Sequence, residues 1–141
     1  DVRWVRREHP AAAWKTGPRD QWIGWSQGQR ETRLQLIVNN ARFLILPWVR
    51  VPGLASKVLA MSVRRLAADW KERYCYTPVL AETFVEVSRF RGTCYKAANW
   101  ICVGNTQGRG RYDIQHQNSK PIKSIWLYPL SKDFRKTLSQ E

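Results

Sequence analysis

The sequence predicts an α/β or α+β fold with a partly parallel sheet. Three segments carry that reading. Phe43-Leu44-Ile45-Leu46 is continuously apolar between Asn39-Asn40 and Pro47, the pattern of a strand covered on both faces. After Pro52-Gly53, residues Ala55, Leu59, Val63, Leu66 and Trp70 recur at spacings of three and four. Lys57, Arg64, Asp69 and Lys71 fall on the other side, which is the stripe of an amphipathic helix. Val79 to Val85 then alternates, with Val79, Ala81, Thr83 and Val85 on one face and Leu80, Glu82 and Phe84 on the other.

The remaining elements follow in chain order. Asp1 to Pro10 holds three arginines and no clear period, so no element is assigned there. Ala11 to Thr16 reads as a short strand, ended by the turn signal Gly17-Pro18-Arg19-Asp20. Ser26 suits a helix N-cap. Leu34, Ile37 and Val38 extend a helix from Gln27 to Val38, which Asn39-Asn40 stops. Pro52 fits the first turn of the long helix, where its missing N–H costs nothing. Phe90 to Asn99 reads as a short helix and Ile101 to Val103 as a short strand. Gly104 to Ser119 reads as a loop, Ile122 to Leu130 as the last strand, and Lys132 to Leu138 as a terminal helix. No internal repeat is present.

The chain has 141 residues, the length of one domain. It carries 24 Lys and Arg against 11 Asp and Glu, a formal net charge of +13, and is 43% hydrophobic with eight tryptophans. It is too apolar and aromatic for a disordered basic tail. No apolar run approaches the roughly 18–20 residues of a membrane span, so no membrane partner is expected. Arg3, Arg6, Arg7 and Glu8 interrupt any secretion signal. A positive field this strong points to a polyanion, nucleic acid above all. Cys75, Cys94 and Cys102 lack metal-like spacing, and His9 and His116 stand apart. Neither a metal site nor a disulfide framework is indicated, and reduced cysteines suit a cytoplasmic protein. Trp14, Trp48, Trp70 and Trp126 read as core residues.

Chemistry is sought first where a strand meets a helix. Arg50-Val51-Pro52-Gly53-Leu54-Ala55-Ser56 lies there, where backbone N–H groups converge and the helix dipole favours an anion. Arg50 could add a charge-assisted contact. Read from spacing alone, the same run is an ordinary strand-to-helix turn. With Cys94-Tyr95-Lys96-Ala97-Ala98-Asn99-Trp100-Ile101-Cys102-Val103-Gly104 added, the chain resembles the GNAT acetyltransferase superfamily from about Arg42 to Gly104. That resemblance implies a mixed central sheet with flanking helices. It also implies acetyl-CoA as cofactor, its pyrophosphate on Arg50, Gly53, Leu54, Ala55 and Ser56, and Tyr95 as the acid that protonates the departing thiolate. Asn99-Trp100 stands where that family has Gly-Phe. Glu82, alone among apolar neighbours, reads either as a general base with a pKa raised by desolvation or as a buried partner of an arginine such as Arg50 or Arg91.

Longer ungapped runs make a closer resemblance. Asn39 to Val51, Glu82 to Val85, Arg89 to Trp100, Thr106 to Gly110 and Trp22 to Trp25 resemble the DruA component of the Druantia anti-phage system and its relatives, over about Ala11 to Leu138. The resemblance implies a role in anti-phage defence or with mobile elements, alongside other defence-system or transposase-like proteins. Residues 1–10 do not look like that family, so 11–141 is expected to be a single domain without its early strands. An exposed sheet edge would follow, inviting a homo-oligomer. Arg109 and Arg111 in the Gly-rich loop, Lys120 and Lys123 beyond it, and Arg89 and Arg91 make a basic surface suited to nucleic acid. A nuclease is disfavoured. Two-metal cleavage needs clustered carboxylates, and only Glu82, Glu86 and Asp113 lie between Glu72 and Asp133.

Overall fold

The alternation in Leu80–Glu86 builds the strand at the centre of the molecule. In the computed structural model, which describes residues 2–6, 16–43, 49–107 and 121–140, this is β3 of a five-stranded sheet. The other strands are β1 (Val2–Arg6), β2 (Ile37–Phe43), β4 (Ile101–Asn105) and β5 (Lys123–Pro129), in the order β1-β2-β3-β5-β4. β2 runs parallel to β3, and every other pair is antiparallel. The expected mixed α+β class with a partly parallel sheet is therefore what forms.

Opposite faces of the sheet carry different helices. Helices α3 (Leu54–Tyr74) and α4 (Thr93–Ala97) cover one. There Leu59, Val63, Leu66 and Trp70 pack with Val38, Ala81, Val85 and Trp126. Each Val or Leu among them contributes about 1.5–3 kcal/mol by leaving water. On the other face α1 (Gly17–Ile23), α2 (Gln27–Arg33) and α5 (Phe134–Leu138) close over Ile37, Leu80, Ile125 and Leu127.

Several elements differ from the sequence expectation. Residues 2–6 form a strand after all, paired antiparallel with β2 through an irregularity at Arg3/Trp4. The extra residue is Ala41 of β2; β1 itself, Val-Arg-Trp-Val-Arg, is short and has two adjacent apolar residues, so it shows no clean period of two. The expected strand over 11–16 lies outside the described residues except for Thr16, which caps α1. Gly17-Pro18-Arg19-Asp20 is helix, not turn, because Pro18 sits in the first turn, where its missing N–H is harmless. Ser26 is the predicted N-cap, with a complete capping box to Gln29. The helix it opens stops at Arg33, and a 3₁₀ turn at Leu34–Leu36 leads into β2. Asn39 and Asn40 are thus mid-strand. Of the apolar run Phe43 to Leu46, only Phe43 is described, as the end of β2. α3 begins one residue after its N-cap Gly53, so Pro52 precedes the helix. The short helix is confined to Thr93–Ala97. Trp70 and Trp126 are core residues as expected; Trp14 and Trp48 lie outside the described residues.

Candidate functional site: a basic groove beside the short helix

The Arg50–Ser56 segment does meet the helix of Tyr95. Arg50, Gly53, Leu54, Ala55 and Ser56 line a cleft of about 620 Å³ whose opposite wall is Thr93, Cys94 and Ala97. Gly53 is left-handed (φ 72°), with open space where a Cβ would stand. The N–H of Leu54 donates to the Val51 carbonyl at 3.1 Å and the Ser56 hydroxyl to the Gly53 carbonyl at 3.1 Å, so the turn is tied to itself. Arg50, Val49 and Val51 are exposed.

Ala55, Thr93 and Cys94 are also a wall of a second cavity of about 710 Å³, which contains Asn40 and Tyr95 and opens past Phe90, Arg91 and Lys123. The two cavities share the Ala55, Thr93 and Cys94 wall, and are called the groove together. Its lining cations are Arg50, Arg91 and Lys123, and Glu86 is its only lining carboxylate among the described residues. Arg89 lies just outside, with its guanidinium 5.6 Å from the Phe90 ring centre and 4.0 Å from Glu86. Arg109, Arg111 and Lys120 lie outside the described residues.

Tyr95 is buried. Its hydroxyl donates to Asn40 Oδ1 at 2.6 Å, Asn40 Nδ2 donates to the Arg3 carbonyl at 3.3 Å, and the Thr83 hydroxyl donates to the Asn40 carbonyl at 3.0 Å. This chain of bonds joins β1, β2, β3 and α4. Burial raises the phenol's pKa, the Thr83 hydroxyl opposes the shift, and the neighbouring Cys94 adds to it. Burial also raises the Cys94 thiol, against two backbone N–H groups that lower it. Both groups are therefore held neutral more firmly in the fold than in the unfolded chain. Their contribution to stability is complete below the ordinary values of 9.0 and 10.0 and is lost as pH rises through the higher folded values. Unfolding free energy measured against pH should fall on the alkaline side, and Tyr95→Phe should make that fall shallower. An unchanged slope would place the loss elsewhere.

Glu82 does not share this site. It projects from the opposite face of β3 to Thr83, is fully buried, and pairs with Arg19 Nε at 3.3 Å. Arg19 also meets Asp20 at 3.3 Å, and Asp20 accepts from Arg30 at 3.2 Å and from Trp25 Nε1 at 2.9 Å. The expected buried partner is an arginine, but from α1 rather than Arg50 or Arg91. The base expected to work with Tyr95 is separated from it by the sheet.

Sequence reasoning passed over Phe90 and Asn40. Phe90, expected to start a helix, lies before α4 and is 60% exposed. Its signal was an aromatic between two arginines, outside any apolar period. Asn40 carried no signal, because its partners come from distant segments. Among the described residues, no three His, Cys, Asp or Glu side chains cluster as a metal site would require, and no helix is long and apolar enough to cross a membrane.

Fold and groove together define a small mixed α+β domain with a basic cleft between a strand-to-helix loop and a one-turn helix. The profile of the family described as Druantia protein DruA matches residues 8–120, and the chain belongs to that family. The match spans the groove apart from Lys123. Comparison with curated proteins and with solved structures gave no match.

Proposed function

We propose that this chain serves anti-phage defence or mobile-element function by contacting nucleic acid through the basic groove. Membership of the Druantia family supports the biological setting. The observation that carries the molecular reading is that Arg91 and Lys123, from two separate segments, line one cavity, and that Arg50 lines the cleft on the other side of its Ala55–Thr93–Cys94 wall. Phosphates are the groups such a cleft attracts. Binding to a short DNA or RNA, measured at several salt concentrations, should weaken steeply with salt. Arg91→Ala and Lys123→Ala should each weaken binding and reduce the dependence on log salt by about 0.7–0.9. Affinity that ignores salt, or no binding to either, would sink the reading.

A second reading, an acyl-CoA-dependent transferase, is favoured by the cleft between the Arg50–Ser56 loop and α4. Tyr95, neutral and on α4, would be its proton donor, and Asn40 would hold its hydroxyl. Glu82 would take no part. Acetyl-CoA binding abolished by Arg50→Ala supports this reading; no acetyl-CoA binding removes it.

A further inference from the structure

We propose that the groove takes an unpaired nucleic-acid strand, with Phe90 as the platform on which a base stacks. This rests on the nucleic-acid reading above and narrows it. The cations alone would suit any phosphate chain. What they do not explain is the exposed ring of Phe90, which lines the same cavity as Arg91 and Lys123, with exposed apolar Val87 and Ile122 next in sequence to its lining residues Glu86 and Lys123. Phe90 is 60% exposed, Val87 46% and Ile122 43%, and the Val87 N–H donates to the Ile122 carbonyl at 3.1 Å, so the last two are held side by side. The Phe90 N–H donates to the Glu86 carbonyl at 2.9 Å, which folds the ring's segment back into a turn. Arg89 lies against the ring. Arg91 and Lys123 line the same cavity.

A duplex offers phosphates on its outside and keeps its base faces stacked within. Against it, the exposed Phe90 ring would be left facing charged backbone. An unpaired strand offers a π-face with every phosphate, so it satisfies the aromatic ring and the cations together. Charge complementarity excludes an acidic or neutral groove's ligands, and the ring selects among polyanions.

The full chain should be titrated with a labelled oligodeoxythymidine strand and with a duplex of the same length, as wild type and as Phe90→Ala, Phe90→Trp and Lys123→Ala. The strand should bind more tightly than the duplex. Phe90→Ala should weaken strand binding about 5- to 150-fold with little effect on the duplex, and Phe90→Trp should restore it. Lys123→Ala should weaken both. Phe90 is exposed, so its loss leaves the core intact, and circular dichroism of each variant checks this. Equal affinity for strand and duplex with a silent Phe90→Ala overturns this inference but leaves the basic-groove reading standing if Lys123→Ala still weakens binding. Failure of both probes to bind overturns both. Displacement of the strand by acetyl-CoA at low concentration, with a silent Phe90→Ala, overturns it in favour of the transferase reading.

Discussion

Glu82→Leu should destabilise the fold by about 3–5 kcal/mol, the usual result of stripping one partner from a buried ion pair. Arg19 is 1% exposed and Glu82 is completely enclosed. Without Glu82, the guanidinium keeps Asp20, but Asp20 already accepts from the Thr16 N–H, Trp25 and Arg30. One carboxylate would then face two arginines inside a hydrophobic layer. For a domain whose total stability is about 5–15 kcal/mol, that loss removes much of the margin. The double variant Arg19→Met with Glu82→Leu removes both charges and leaves Asp20 with Arg30, so it should recover a large part of the loss. Urea unfolding followed by tryptophan fluorescence reads both. A double variant as unstable as Glu82→Leu alone would show that volume, not charge, sets the cost. Because Glu82 stands across the sheet from Tyr95, the destabilised variant should still bind nucleic acid wherever it remains folded.

The same pair marks how far the sequence could be read. Elements that bury a full period of their own were legible: α3 shows four turns of apolar stripe, and β3 and β5 show strands bounded by turn residues. β2 was not. Leu34, Ile37 and Val38 satisfy a helical spacing and a strand equally, and the choice is made by β3, which pairs with Ile37 and Val38 from more than forty residues away. Asn40 reads as a breaker until Tyr95, Arg3 and Thr83 supply its partners. For the site, local chemistry was legible and juxtaposition only partly so. The loop at Arg50–Ser56 and the helix of Tyr95 do meet, and Arg91 and Lys123 do share the groove. That Glu82 points away from Tyr95 was implicit in the alternation of β3, since Ala81 and Thr83 face one side and Glu82 the other. What the sequence lacked was which side α4 would cover. Arg19 as the partner of Glu82 is a tertiary fact with no local trace.

Gly92→Ala should be the other large loss, about 2–5 kcal/mol, and its comparison with Gly53→Ala separates two causes. Both glycines cap helices that wall the groove, and both have φ 72°. Placing alanine in that left-handed conformation costs about 1 kcal/mol or somewhat more at either position. The surroundings differ. A Cβ at Gly53 meets nothing within 4 Å, whereas one at Gly92 would stand 2.6 Å from Trp126 Cζ2, 2.7 Å from Cε2 and 2.9 Å from Nε1. The indole cannot retreat cheaply. It is buried, its Nε1 donates to Ser124 Oγ at 2.9 Å, and Tyr95 packs beside it. Overpacking of this kind adds about 1–3 kcal/mol. Gly53→Ala should therefore shift the thermal midpoint modestly and Gly92→Ala much further. Gly92→Ala with Trp126→Phe, which shortens the ring at the point of collision, should then be less destabilised than the two single losses added together. Equal losses at Gly92 and Gly53 would mean that backbone conformation alone requires glycine at both, and that Trp126 gives way.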